Sequence, residues 1–313
     1  MTREIELHVH SYSLRFRLRY RDTTGFDVFA YITAMADLGF TGVNVSANGP
    51  GLRDLCGDDS DHFRAVRSAV AERSLRLELD TSDTRIENMS AMVRVAAECG
   101  ADTLRTYTKY RMPLEQTIAA TIDDLRAVAP IAADLGVLVV LENHEDFTGP
   151  VLARILGEVD HPSVRALYDY GNSQMVGEDP FDALDAMAPF VARVHAKDHV
   201  VVDTPAGTVV QGVAFGSGRL DVLGTTDRLY DAGVRRFCFE NVWAYAAPVL
   251  VPGSDLPSTP CFARDDPARH LVGDSLDPAT ALEGEREAFD SGLAAFRAML
   301  AEGGYVVRPG VLG

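Results

Sequence analysis

The 313-residue sequence predicts an α/β fold, a single-domain (β/α)8 TIM barrel, and three observations carry that expectation. Short apolar runs alternate with amphipathic helical segments along the chain. A helix closing on glycine then an apolar run recurs at Ala36-Asp-Leu-Gly39, Glu98-Cys-Gly100, Ala133-Asp-Leu-Gly136 and Asp231-Ala-Gly233, as expected where glycine takes the left-handed conformation that ends a helix. Four apolar runs end on Glu142, Asp169, His195 and Glu240. A parallel barrel gathers the carboxyl ends of its strands around one opening.

The eight expected strands are 4–10, 41–46, 75–79, 102–107, 137–142, 164–169, 191–195 and 236–240, rich in the β-branched and aromatic residues that suit an enclosed pleated surface. Between them, Ile86, Met89, Met92, Val93 and Ala96, or Leu114, Ile118, Ile122, Leu125 and Val128, repeat with the helical period and read as core stripes. A helix over 279–303 ends the expected single domain, which spans 1–313. Residues 247–278, rich in Pro, Gly, Ser and Asp, read as a long loop near the mouth that covers a site or mediates assembly.

From Ser13 to Arg21 the residues alternate strictly. An extended segment there puts Arg15, Arg17, Arg19 and Arg21 on one face and Phe16, Leu18 and Tyr20 on the other. Such a segment is a solvated edge, a contact for an anionic or aromatic substrate, or a subunit contact.

Hydrophobic content of 47% and charged content of 24% are those of an ordinary globular protein. A formal charge of −17 repels phosphate backbones, so no nucleic-acid partner is expected. The start of the chain lacks a signal-like apolar stretch and nothing later approaches bilayer length, so the expectation is a cytoplasmic protein with no membrane contact. Cys56, Cys99, Cys238 and Cys261 form no C-x-x-C pair, which argues against disulfides and a thiolate metal site.

Glu142, Asp169, His195 and Glu240 make a hard, oxygen-rich ligand set for one divalent metal, Mn²⁺ before Mg²⁺ or Co²⁺, where a structural zinc would call for cysteines. His144 lies two residues past Glu142, so a continuing strand would send both side chains to one side. There it acts as a general base near neutral pH or merely orients a ligand. Lys197, two past His195, faces the same cavity to hold a substrate oxygen or an oxyanion, or else pairs with Asp169 or Asp198. His8 and His10 point toward the mouth, and His10, Arg105 and Asn172 are expected on the substrate-binding wall, with Asp80. Gly216 and Gly218 have the wrong spacing for a nucleotide loop.

The strings Leu141-Glu-Asn-His144, Asp169-Tyr-Gly-Asn172, Val194-His-Ala-Lys-Asp198, Phe215-Gly-Ser-Gly-Arg-Leu-Asp221 and Phe239-Glu240 resemble, in order, the strand-end motifs of the xylose-isomerase-like TIM barrels. That superfamily holds sugar isomerases and ketose 3-epimerases, inosose and dehydroshikimate dehydratases, endonuclease IV repair enzymes, and catalytic subunits of deglycosidases acting on 3-oxo-C-glycosides. The resemblance implies that Glu142, Asp169, His195 and Glu240 hold one Mn²⁺-like ion. It also implies that Glu142 and Glu240 exchange a proton beside a sugar carbonyl, with the metal stabilising the enediolate.

A repair endonuclease needs several metals and more histidines, and must approach a polyanion; eight histidines and a charge of −17 disfavour it. A non-catalytic barrel has no need of an open site of this kind. Two reactions remain, sharing proton removal beside a carbonyl. The preferred expectation is a lyase cleaving a 3-oxo-C-glycoside by elimination, with catalytic His144, Glu142, Glu240 and Lys197; the alternative is a sugar isomerase or ketose 3-epimerase. The expected partners are a small-molecule sugar or glycoside and either a second copy of the chain or a smaller subunit.

Overall fold

In sequence order β1 (Arg3–His10), β2 (Gly42–Ser46), β3 (Arg76–Asp80), β4 (Thr103–Thr106), β5 (Leu138–Glu142), β6 (Val164–Asp169) and β7 (Val191–Ala196) pair side by side, all parallel. After a hairpin of β8 (Asp198–Thr204) and β9 (Gly207–Val213), β10 (Arg236–Phe239) pairs with both β7 and β1 and closes the ring. This is the (β/α)8 barrel the sequence predicts, and each of its eight strands lies within a residue or two of its expected place. The computed structural model describes residues 2–308; Met1 and residues 309–313, at the ends of the expected single domain, lie outside the described residues.

Around the ring run α1 (Arg15–Arg19), α2 (Arg21–Thr24), α3 (Val28–Asp37), α4 (Ser60–Glu72), α5 (Ile86–Cys99), α6 (Leu114–Leu135), α7 (Gly149–Val159), α8 (Pro180–Met187), α9 (Val222–Asp231) and α10 (Pro278–Glu302). The predicted stripes are their inner faces: Met89, Met92, Val93 and Ala96 on α5 and Ile118, Ile122, Leu125 and Val128 on α6 are buried. They meet the outward strand residues, such as Leu7, Val43, Leu79, Leu141 and Phe237, in one continuous core. No helix among the described residues is long and apolar enough to cross a membrane.

The alternate strand residues point into the barrel, and there the chain departs from an aliphatic filling. Arg236 donates to Glu78 at 2.8 Å, to Asp102 at 2.8 and 3.0 Å and to Glu6 at 2.9 Å, and Arg193 reaches Glu78 at 3.2 Å. Such a buried network is tolerable only when every charge is partnered. His8 sits on it, 3.4 Å from Glu78, so it fills the barrel below the mouth instead of reaching the opening. A Cβ at residue 42 would lie 2.4 Å from the His8 ring, which is why glycine stands there.

Three features depart from the sequence expectation. The arginine-rich stretch is not extended: Ser11–Leu14 forms a 3₁₀ turn followed by α1 and α2. Tertiary packing overrides the two-residue alternation, because Phe16 and Leu18 are both buried and Glu285 of α10 accepts hydrogen bonds from the backbone N–H groups of Phe16 at 2.7 Å and Arg17 at 3.0 Å. Second, the β8–β9 hairpin extends beyond the barrel, and β9 pairs with β11 (Ala246–Pro248) around a small cluster of Met175, Val201, Val210, Ala247 and Val249. Third, β12 (Tyr305–Val307) adds to the start of β1. The loop expected over 247–278 begins within β11, contains the 3₁₀ turns Pro267–Arg269 and Gly273–Ser275, and brings Leu250 and Gly253 to the cleft at the mouth.

Burial pushes the Glu285 carboxyl up to about 7, the two N–H donors offsetting only part of the cost. Folding therefore takes up a proton at this position, and the stability it contributes is complete below the ordinary glutamate value of 4.5 and lost as pH rises through about 7. Urea unfolding is expected to show Glu285→Gln with a flatter pH dependence between pH 5 and 8 than the parent protein. Glu285→Ala, which strands two donors, should lose about 2 kcal/mol throughout. Parallel pH profiles for the parent and the Gln variant would contradict this account.

Candidate metal and active site at the barrel mouth

Strand register brings the predicted ligands together. Glu142 and Asp169 end β5 and β6, His195 lies opposite Asp169 on β7, and Glu240 follows β10 directly. All four are buried. Ligating atoms of Glu142, Asp169 and His195 lie within 4.8 Å of one another, and so do those of His10, His195 and Glu240.

The surrounding residues hold these groups. Asn172 donates to Glu142 and to Asp169, both at 2.9 Å. Lys197 stands 2.6 Å from Asp169 and 3.6 Å from Glu240, and Arg105 pairs with Glu142 and reaches Asp80 at 3.3 Å. Of the two partners open to Lys197, Asp169 is the one used, because Asp198 instead accepts the backbone N–H groups of Gly216 and Gly218. The glycine motif is thus an anchor for its own loop. Asn172, expected on the substrate wall, is fully buried and grips the Glu142 and Asp169 carboxylates.

His10, expected as a substrate contact, lines the cleft beside His195. Its Nδ1 accepts from the Tyr12 N–H at 2.8 Å and its Nε2 faces Asp80 at 3.2 Å, with the ring edge-on to His195 at 4.8 Å. Its Nδ1 is thus occupied, its Nε2 is turned toward Asp80, and its ring lines the cleft. His144 reaches the cleft by a route other than strand continuation. Its N–H turns back to the Glu142 carbonyl at 3.0 Å, ending β5, and the imidazole stacks flat on Tyr107 with ring centres 4.0 Å apart.

Electrostatics describe a site short of positive charge. Burial would raise every carboxyl here; Arg105, His144 and His195 nonetheless hold Glu142 far below its ordinary value, and Lys197 with His10 holds Glu240 at about 2. Asp169 goes the other way, well up, because burial and the neighbouring Glu142 and Glu240 outweigh Lys197. Burial and His10 lower His195 to about 4, leaving a neutral imidazole. Asp169 Oδ1 and His195 Nδ1 have no hydrogen-bond partner. A buried Asp169 carboxyl short of positive charge beside two ionised glutamates, a neutral imidazole with a free nitrogen and no thiolate fit a hard divalent cation. The Asn44 amide lies 3.3 Å from His195 Nε2 and helps to fix the ring among the carboxylates.

Above these residues opens a cleft of about 1030 Å³ whose walls include Tyr12, Tyr107, Tyr110, His144, Asp146 and Tyr245. The sequence reading did not anticipate Asp146 or the tyrosine walls. Asp146 carries a carboxyl that burial, then Glu145 and Glu142, push up to about 7. Its place four residues past a strand end was the only signal available.

A closed (β/α)8 barrel with carboxylates and an imidazole converging at the carboxyl ends of its strands defines a class of mouth-sited barrels. Within that class, the chain belongs to the xylose isomerase-like TIM barrel family, which matches residues 32–249. It is similar to the uncharacterized protein YihM of Escherichia coli, 24% identical over 214 residues covering 68% of this chain and 65% of that protein. An 80-residue stretch is 29% identical to the 3-dehydroshikimate dehydratase of Bacillus anthracis, covering 25% of this chain and 29% of the dehydratase. The chain thus spans less than two thirds of the length of either relative. Among solved structures, a xylose isomerase domain protein from Planctomyces limnophilus superposes with a TM-score of 0.64 at 15% identity, covering 87% of this chain and 92% of the other. A D-psicose 3-epimerase determined in the presence of D-fructose superposes with a TM-score of 0.63 at 13% identity, covering 95% and 99%.

Calorimetric titration with Mn²⁺ is expected to give one ion per chain, and Asp169→Asn or His195→Ala should weaken binding on the order of 100-fold. The metal-free melting temperature of Asp169→Asn should not fall, since the substitution relieves carboxylate crowding. Unchanged Mn²⁺ affinity in both variants would refute the ligand assignment.

Proposed function

We propose that the protein is a divalent-metal-dependent lyase that removes a proton next to the carbonyl of an oxidised sugar and expels a bulky β-substituent, with a 3-oxo-C-glycoside as the model substrate. One observation carries the reading: an imidazole with an unpartnered Nδ1, His144, lies against Tyr107 on the wall of a cleft of about 1030 Å³ directly beside the carboxylate cluster. Tyr12, Tyr110 and Tyr245 extend that wall, offering flat apolar surface to an aromatic aglycone that a free sugar would leave unused.

In this reading Glu142, Asp169, His195 and Glu240 hold the cation, Mn²⁺ first by donor type, which when bound supplies Lewis acidity toward sugar oxygens. The chain's own residues do the rest. Burial, with Arg105 and Lys197 nearby, keeps the His144 imidazole uncharged, so it is ready to accept the proton from C2 of the 3-oxo sugar. The C2–H electron pair becomes the C1–C2 double bond as the C1–aglycone bond breaks, its electrons leaving with the aglycone. Asp146, with its carboxyl raised to about 7, stands on the same cleft wall to return a proton to the departing carbon. Lys197, held cationic by Asp169 and Glu240, faces negative charge developing on the sugar oxygen. Arg105 and Asn172 fix Glu142 so that little reorganisation accompanies the proton transfer.

A second reading, ketose 3-epimerisation, is favoured by one feature: Glu142 and Glu240 flank His195 from separate strands, as a pair working on the two faces of one carbon would require. The D-psicose 3-epimerase likeness, being one of fold, is compatible with it.

Incubating the Mn²⁺-loaded protein with a 3-oxo-C-glucoside, its unoxidised parent and free ketoses in D₂O separates the two. Aglycone released from the oxidised glycoside alone is the expected result; deuterium entering an intact ketose without aglycone release would replace the lyase reading by the epimerase one. His144→Gln should lower kcat on the order of 10²- to 10⁴-fold while leaving Mn²⁺ affinity unchanged.

A further inference from the structure

Beside the main cleft, and sharing Tyr12, Arg53 and Tyr245 with it, lies a second chamber of about 510 Å³. Arg15, Arg19, Arg21 and Arg53 line it. The helical conformation of 15–19 makes this possible: Arg15 and Arg19, four apart, fall on one helix face, whereas Arg17 turns away to lie over Phe26. Two carboxylates also line the chamber, against its four arginines. Asp274 is committed to Arg19 at 2.7 Å, and Asp54 is buried, accepts the Ser11 hydroxyl at 2.7 Å and has its carboxyl raised by that burial.

The other guanidiniums have donors to spare. Arg15 uses Nη2 on the Trp243 carbonyl at 2.8 Å and stacks over Tyr12 and Phe16, but its buried Nη1 has no hydrogen-bond partner. Arg21 makes one long bond to the Leu18 carbonyl at 3.4 Å. Arg53 makes no side-chain hydrogen bond or ion pair among the described residues, and it is held in a turn where Gly51, Leu52 and Arg53 all have positive φ. In a chain with 46 acidic and 29 basic residues, three arginines around one chamber with no carboxylate at ion-pair distance among the described residues are an unusual use of positive charge. Planar five-donor guanidiniums in such a cluster match the paired oxygens of phosphate, sulfonate or carboxylate.

We propose that this chamber is a substrate subsite for an anionic substituent of phosphate, sulfonate or carboxylate type, so that the sugar or glycoside turned over at the barrel mouth carries a negative charge on the part remote from the reacting carbon. The proposal deepens the lyase reading, resting on it for the identity of the main cleft. The shared wall of Tyr12, Arg53 and Tyr245 connects the two compartments, so one ligand can occupy both. An anion there would bind more weakly as salt rises, since Arg19, Arg21 and Arg53 are exposed.

Calorimetry with glucose, glucose 6-phosphate, glucuronate and inorganic phosphate as probes, at low salt, tests the proposal without requiring turnover. The expected result is that one of the charged sugars binds at least tenfold more tightly than both glucose and inorganic phosphate, and that Arg21→Gln/Arg53→Gln removes the advantage. Glu142→Gln, which disables the proposed chemistry, should leave that advantage in place, so failure of the lyase reading and failure of the subsite are told apart. Inorganic phosphate binding as tightly as the charged sugars would point to a free anion and overturn the subsite. No preference for charge, or a preference that survives the double substitution, would overturn it as well.

Discussion

Three carboxylates, Glu142, Asp169 and Glu240, are gathered around one buried histidine at the mouth of the barrel, and much of the structure above its midline answers to that crowding. Like charges about 4 Å apart at an effective dielectric of about 20 repel by roughly 4 kcal/mol, so the arrangement persists only with compensation. Lys197 and Arg105 supply part of it, and Asn172 bridges two of the carboxylates with a single amide. What is left over falls on Asp169, whose carboxyl is driven up despite an ammonium 2.6 Å away. A divalent cation is a fitting completion of such a set, and Asp169 Oδ1 and His195 Nδ1 are among the buried atoms there without a hydrogen-bond partner.

The barrel interior divides into two tiers with different jobs. Below, Arg236 and Arg193 satisfy Glu6, Glu78 and Asp102 in a closed network, and His8 caps it from above. Above, the inward residues of the same strands converge without satisfying one another fully. The lower tier fixes strand register, and register decides that Asp169 stands opposite His195. Rigidity beneath and incompleteness above are what a preorganised site requires.

The upper tier was legible in the sequence because its logic is local. A hydrophilic residue terminating an apolar β-branched run marks the carboxyl end of a strand, and barrel topology does the gathering, so Glu142, Asp169, His195 and Glu240 could be placed together by that rule alone. The Arg15–Arg21 stretch was not legible. Its two-residue alternation favours a strand, yet the donors at its start are capped by Glu285, about 270 positions away, which no local pattern reveals. The setting of the His10 ring depends likewise on Asp80 and Tyr12. The β8–β9 hairpin did leave a trace: Thr204-Pro-Ala-Gly207 between two valine-rich runs is a turn signal.

The most direct test of the central claim, one cation held through His195 among the strand-end carboxylates, is pulsed electron paramagnetic resonance of the Mn²⁺-loaded protein. The account predicts modulation from a single imidazole nitrogen that disappears in His195→Gln and survives in His10→Gln. Absence of nitrogen coupling, or coupling that persists in His195→Gln, would contradict it.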